Sequence, residues 1–296
     1  MANTLYTPTQ AARSTLAALR YLTTLPRTVR QDFSAEFVPG VGNVVNIKNP
    51  ISAGTARTYT ATNRANRDAI VFDDLSQDTI PVTITDQVYK AVRLPDDFAT
   101  FDLVSLEQQV LRPQAESVVD GVTAPLVAEM NAVADPGLPT LLADGSNALE
   151  VLIAARAELN DRKVPMTDRY VALSPAAESA FLNVDQLQKV NESGTDGVLR
   201  EAIIGRLFGF TILVDPNITD GAGVAYHRDA FAHVTRPSRN PEGAAKSATV
   251  AQDGFALRWL QHYNPLQLED QSVVDTFVGA DTLIDEYAVR TVVAAA

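Results

Sequence analysis

The chain has 296 residues, 46 % of them hydrophobic, with a formal net charge of −12 and no cysteine. That length and apolar share bury a sizeable core as one large or two ordinary domains, while the missing thiols exclude disulfides, thiolate metal sites and cysteine nucleophiles. The acidic balance argues against a protein that grips nucleic acid by neutralising phosphates, and no run of eighteen apolar residues offers a membrane helix.

The charge is unevenly spread. Residues 1–72 carry eight Arg or Lys against three Asp or Glu, and the remainder sixteen against thirty-three. The basic N-terminal part is suited to docking on acidic surface, including that of another copy.

The opening MANTLYTPTQAARSTL lacks the basic-then-apolar order of a secretory signal, so the expected compartment is the cytosol or an assembly formed there. Thr7-Pro8 starts a first helix, with Pro8 at its first position and Ala12, Leu16, Leu19 and Leu22 as its apolar stripe, ended by Pro26. A short terminal helix of this kind needs a body to lie on.

Val44, Val45 and Ile47, bounded by Gly42 and Pro50, read as a strand; Gly40-x-Gly42 lacks the third glycine of a dinucleotide fingerprint. Residues 54–95 read as a long two-stranded ribbon, Thr58–Thr60 on one side and Ile80–Thr85 then Val88–Leu94 on the other. Its polar tip is Asn63-Arg64-Ala65-Asn66-Arg67-Asp68. Such a ribbon must pack on something.

Asp102 to Ala134 organises the chain. Leu103, Leu106, Val110, Val118, Val122, Leu126, Met130 and Val133 keep helical phase behind an Asp102 N-cap, a segment of roughly 50 Å at 1.5 Å per residue. Pro113 and Pro125 interrupt it, each at about 3 kcal/mol. Neither is flanked by turn residues and the stripe keeps phase across both, so the expectation is one kinked, continuous helix.

After Asp135-Pro136-Gly137, a second helix begins near Asn147 with Leu149, Leu152, Ile153 and Leu159 as its apolar positions. Arg169–Leu173 reads as a strand, and Ser174-Pro175 as N-cap and first position of a helix through Leu182. VLREAII then forms a helix ended by Gly205, and Phe210–Val214 a strand closed by Asp215-Pro216-Asn217.

No motif here carries catalysis. Ser174, His227 and Asp229 are the residue types of a nucleophile set, but no GxSxG elbow exists and Ser174 is accounted for as a cap. HExxH, P-loop and CxxC are absent, and residues 215–221 miss a calcium loop by a misplaced glycine and a missing distal glutamate, reading instead as an Asn/Asp-rich turn. No catalytic, cofactor or metal residue is assigned.

The run LREAIIGRLFGFTILVDPNI (199–218), followed by AYHRDAFAHVTRP (225–237), resembles the major capsid proteins of tailed bacteriophages, the coat-protein branch of the Hong Kong ninety-seven fold. YVALSP, GRLFGF and YHRDAFA occur in that family's order; the first nineteen residues are similar to its opening, and GFALRWLQHYNP and VGADTLIDEYAVRTV to its closing strands. The resemblance implies an α+β phage capsid fold: an N-terminal arm (1–36), an extended β-ribbon loop with flanking strands (37–100), a spine helix of a peripheral domain (101–138), an axial α+β domain (139–250) and C-terminal strands returning to the peripheral domain (251–296).

It also implies a function. Copies assemble into hexamers and pentamers of an icosahedral head around double-stranded DNA, formed in the host cytoplasm, with scaffolding, portal and decoration proteins as further partners and no sequence-specific DNA contact, membrane or enzymatic activity. The alternative is an encapsulin-like compartment of the same fold; a hydrolase or small binding module is the more distant rival. No residue matches a motif for the Lys/Asn cross-links of some family members. Arg57, Arg64 and Arg67 on the ribbon are the expected contacts to acidic residues of an adjacent subunit.

Overall fold

A computed structural model describes residues 7–31, 42–48, 56–72, 79–84, 86–101, 103, 105–142, 144–184, 205–219, 222–243 and 246–292. The first helix, α1 (Pro8–Leu22), opens on a reciprocal cap: Gln10 N–H donates to the Thr7 hydroxyl (3.3 Å) and Thr7 N–H to the Gln10 side chain (3.1 Å). Ala11, Ala12, Leu16 and Leu19 are buried, so the helix lies on its own subunit's body.

The ribbon is built from other residues than the spacing indicates. Its legs are β1 (Val44–Lys48) and β2 (Thr79–Thr83), paired antiparallel from Val44↔Thr83 to Lys48↔Thr79. Residues 56–60 form no strand; Thr60 accepts from Asn63 N–H (3.3 Å) and caps a short helix, α2 (Ala61–Asn66), which Arg67 closes in the left-handed conformation. A threonine next to a helix-competent run finds more backbone donors as a cap than in a strand. The third expected ribbon strand, β3 (Asp86–Pro95), pairs along its whole length with β11 (Glu269–Thr282), and α3 (Asp96–Phe101) follows it.

The long helix is continuous across both prolines. From Leu106 the backbone is helical, passing through a π-turn at Glu107–Leu111 into α4 (Arg112–Ala132). Arg112 N–H reaches back five residues to Glu107 O. The wider turn makes room for the ring of Pro113, which has no N–H to give and would crowd the carbonyl four residues earlier. For Pro125 that earlier residue is Gly121, where the helix lies so close to β3 that any Cβ would strike Val88. The expected cap at Asp102 falls outside the described residues, as does the helix expected over VLREAII.

Two sheets flank this helix. In the first, β3, β11, β10 (Phe255–Asn264) and β9 (Lys246–Gln252) run antiparallel in that order, and β8 (Phe231–Arg236) joins the far half of β11. Val118 and Val122 of α4 meet Trp259, Val274 and Val278 there. The Gln114 amide donates to Ser272 O (2.9 Å), and the Ser272 hydroxyl bridges Gln114 and the Trp259 indole, each at 3.0 Å, which tethers helix to sheet.

The second sheet has the order β12 (Ala288–Val292), β7 (Ala222–His227), β4 (Arg169–Leu173), β6 (Phe210–Val214) and β5 (Arg206–Leu207), with only β4 and β6 parallel. Helices α5 (Ala148–Asp161) and α6 (Pro175–Leu182) pack on it through Leu152, Leu159 and Phe181. Ser174 caps α6 as its sequence indicates, accepting from Ala177 N–H (3.3 Å), whereas Ile153 of α5 faces solvent rather than core. β8 and β9 thus side with the first sheet and β12 with the second.

Candidate assembly surfaces

Register separates the one conceivable nucleophile set. Arg169 of β4 stands opposite His227 of β7, and Ser174 lies five residues further along, about 16 Å at 3.3 Å per residue. His227 Nδ1 accepts from Asp229 N–H (3.2 Å), its ring meets Tyr287 edge-on, and burial lowers its pKa. These are local packing roles. Asp215 accepts from Asn217 N–H (2.9 Å), the turn expected in place of a calcium loop, and among the described residues no group of His, Asp or Glu is placed to hold a metal.

Among the exposed apolar side chains of the described residues, three groups lie at the ribbon tip and at turns. The ribbon tip carries Ile70, Val71 and Phe72, the last 84 % exposed, beside Tyr59, whose hydroxyl donates to Asp68 O (2.6 Å) and fixes the loop around α2. The β10–β11 turn carries Leu266, 93 % exposed, and Leu268, whose carbonyl accepts from Asp96 N–H (3.1 Å) at the start of α3; Phe101 of α3 is exposed as well. The β5–β6 turn presents Phe208, held by Arg156, which donates to its carbonyl. Exposed apolar groups gathered at projecting turns mark contact surface rather than core.

The three arginines expected at a subunit contact all sit on the tip. Arg57 precedes α2, Arg64 lies within it and Arg67 ends it, and all are exposed. Arg64 and Arg67 have no ion pair among the described residues. No alternation or motif in the sequence points to the apolar groups beside them, because Ile70, Val71 and Phe72 read equally well as core.

A cleft of about 530 Å³ opens where the C-terminal end of α4 meets the end of β11 and the start of β12. Val133 and Ala288 are among its apolar walls; Glu129, Asp281, Asp285 and Glu286 supply its carboxylates. Its residues come from positions 129 to 288, so no linear pattern announces it.

His233 on β8 is fully buried, its Nε2 bonded to Val122 O of α4 (3.0 Å) and its Nδ1 without a partner; burial pushes its pKa down to about 4. The imidazole is therefore neutral in the fold, while the unfolded chain takes up a proton below about 6.5. Stability accordingly falls as pH drops from about 6.5 toward 4. The expected loss between pH 7 and pH 5 is about 2 kcal/mol from this one group. Urea unfolding of dissociated subunits checks it: His233→Gln should flatten the pH dependence by that amount, and an unchanged slope rules the assignment out.

No family model and no curated protein matches the chain. Solved structures do. A chain from Mycobacterium phage Che8 superposes with a TM-score of 0.65 at 18 % identity, covering 91 % of this chain and 90 % of that one. The capsid structure of cyanophage P-SCSP1u gives 0.58 at 12 % identity, covering 86 % and 84 %, and a virus-like particle from Pyrococcus furiosus 0.54 at 11 %, covering 95 % and 97 %. The arrangement of α1, the β1–β2 ribbon, the long helix α4 and two sheets is the fold of phage capsid chains, the Hong Kong ninety-seven architecture.

Proposed function

We propose that the chain is the major shell protein of a tailed-phage head, self-assembling into the hexamers and pentamers of an icosahedral capsid around double-stranded DNA. The observation that carries this reading is the extent of the likeness, which spans nine tenths of the chain and of the Che8 chain. In this reading residues 1–36 form the arm, 37–100 the extended loop, 101–138 the spine, 139–250 the axial domain and 251–296 the closing strands. The role is structural, with no reaction of its own.

The physics of such a shell is additive. Head-to-tail contacts that repeat around a ring close it, and many weak contacts per subunit sum through multivalency. The exposed groups of the ribbon tip, the β10–β11 turn and the β5–β6 turn are the surfaces that a lone subunit leaves wet. A net charge of −12 suits a wall that encloses DNA without holding it. Scaffolding, portal and decoration proteins are the further partners, the host cytoplasm the place of assembly and the virion the final location.

The likeness to the Pyrococcus furiosus particle, over 95 % of this chain, favours a second reading, an encapsulin-like compartment. Expression of the full chain, alone and with its scaffolding protein, followed by size exclusion and negative-stain microscopy separates the outcomes. Shells or six-membered rings are expected. A subunit that stays monomeric in both cases overturns the reading, and shells that retain a cargo enzyme through a docking peptide favour the compartment.

A further inference from the structure

The cleft at the end of α4 is short of positive charge. Glu129 accepts from the Thr282 hydroxyl (3.0 Å) and Asp281 from Thr282 N–H (2.8 Å), while Asp285 and Glu286 are exposed and have no ion pair among the described residues. Arg162 lines the same space, but its guanidinium is committed to Glu158 (2.9 Å) and to Ala288 O (3.1 Å). The cleft's carboxylates thus meet no uncommitted cation among the lining residues, and a cationic side chain entering the cleft would supply one.

The ribbon tip has the opposite character. It presents Arg64 and Arg67 without ion pairs, Arg57 beside them, and Phe72 almost wholly exposed. The cleft matches it twice over, in charge and in apolar surface, and its volume lies within the range of pockets that enclose small groups of side chains. The β10–β11 and β5–β6 turns, which also expose apolar side chains, are projections rather than concavities.

Leu283, which lies in sequence between the cleft residues Asp281 and Asp285, packs with Val45, Ile47, Val82 and Ile84 of the ribbon legs. We propose that the cleft is the socket for the ribbon tip of a second copy, with Arg64 and Arg67 set against Asp285 and Glu286 and Phe72 against the apolar walls. This rests on the shell reading and names the acceptor for the arginine contact.

Charge reversal tests it on the full chain. Arg64→Glu with Arg67→Glu should lower shell yield about tenfold or more, the effect of about 1.4 kcal/mol per contact before multiplication over a shell. Asp285→Arg with Glu286→Arg should do the same, and all four together should recover most of the yield. Both reversals lowering yield without recovery in the combination would mean that tip and cleft have different partners, and the proposal falls. So it does if the cleft reversal changes nothing, or if only the cleft reversal matters, which would assign the socket to another segment.

A second measurement guards against misfolded variants. Because the chain has no cysteine, Arg64→Cys with Asp285→Cys has no background thiol. Oxidation of the assembled protein should give covalent ladders on non-reducing gels, and monomers alone would overturn the pairing. Wild-type protein that forms no oligomer even with scaffolding protein overturns the shell reading itself, an outcome distinct from shells that assemble but do not cross-link.

Discussion

Replacing Asp275 with alanine should cost the subunit about 3–5 kcal/mol, enough to unfold a protein of ordinary stability under mild conditions. Asp275 is 1 % exposed on β11 and accepts from Arg258 Nε (2.8 Å), Arg258 Nη2 (3.0 Å), Gln87 Nε2 (2.7 Å) and the Ser238 hydroxyl. Arg258 also donates to Arg239 O. One carboxylate thus joins β3, β10, β11 and the segment after β8. Removing it leaves a guanidinium that is only 14 % exposed without a counter-charge, which is where the cost arises.

The comparison set makes the cause visible. Asp275→Asn keeps the shape and an acceptor, and should fall between wild type and alanine. Arg258→Met with Asp275→Leu removes both charges and should recover much of the loss, because a well-packed apolar pair often equals a buried ion pair. Urea unfolding of dissociated subunits measures all four proteins. A double variant as unstable as Asp275→Ala would show that the hydrogen bonds to Gln87 and Ser238, not the ion pair, hold the sheet.

What could be read from the sequence was whatever has a local cause. Thr7-Pro8 and Ser174-Pro175 each place a hydroxyl acceptor before a residue with no N–H to satisfy, and both start helices. Arg169–Leu173 and Phe210–Val214 are apolar runs bounded by turn residues, and both are strands. The spine survives two prolines because its apolar phase buries Val118, Val122, Leu126 and Met130, and that burial outweighs two lost hydrogen bonds.

What could not be read depends on partners far away in the chain. The ribbon legs are about thirty residues apart, so their register is set by the cluster of Val45, Ile47, Val82 and Ile84 on Ala232, Val234 and Leu283, not by a turn. Thr58, Tyr59 and Thr60 have strand-favouring side chains but no strand to pair with, and Thr60 caps α2 instead. Ile153 continues the apolar pattern of α5 on the side that faces no neighbour within the described subunit. Arg258 and Asp275 become partners only because β10 and β11 pair in that register. The acidic cleft has the same origin, assembled from the ends of elements that nothing local brings together.

Gly279→Val should leave the subunit folded and abolish its assembly. At this position on β11 a Cβ would stand 2.7 Å from Thr83 O and 3.0 Å from Ile84 Cα, backbone atoms of the ribbon that no rotamer change can move. The ribbon lies flat on the sheet because this residue has no side chain. Any substituent must lift it, pulling Val45, Ile47, Val82 and Ile84 off the cluster that buries them, at about 1.5–3 kcal/mol for each side chain fully re-exposed. The spine and second sheet draw on separate clusters and should persist, so circular dichroism should change little. Trypsin reports the ribbon directly: cleavage at Arg57, Arg64 and Arg67 should be faster in the variant, shell yield should fall at least about tenfold, and Gly279→Ala should lie between. If cleavage rate and yield both match wild type, the stem is held by something other than its contact with β11. If the ribbon loosens yet shells still form, the tip does not carry the contact proposed for it, because a tip on an unseated stem cannot reach a fixed socket at low entropic cost.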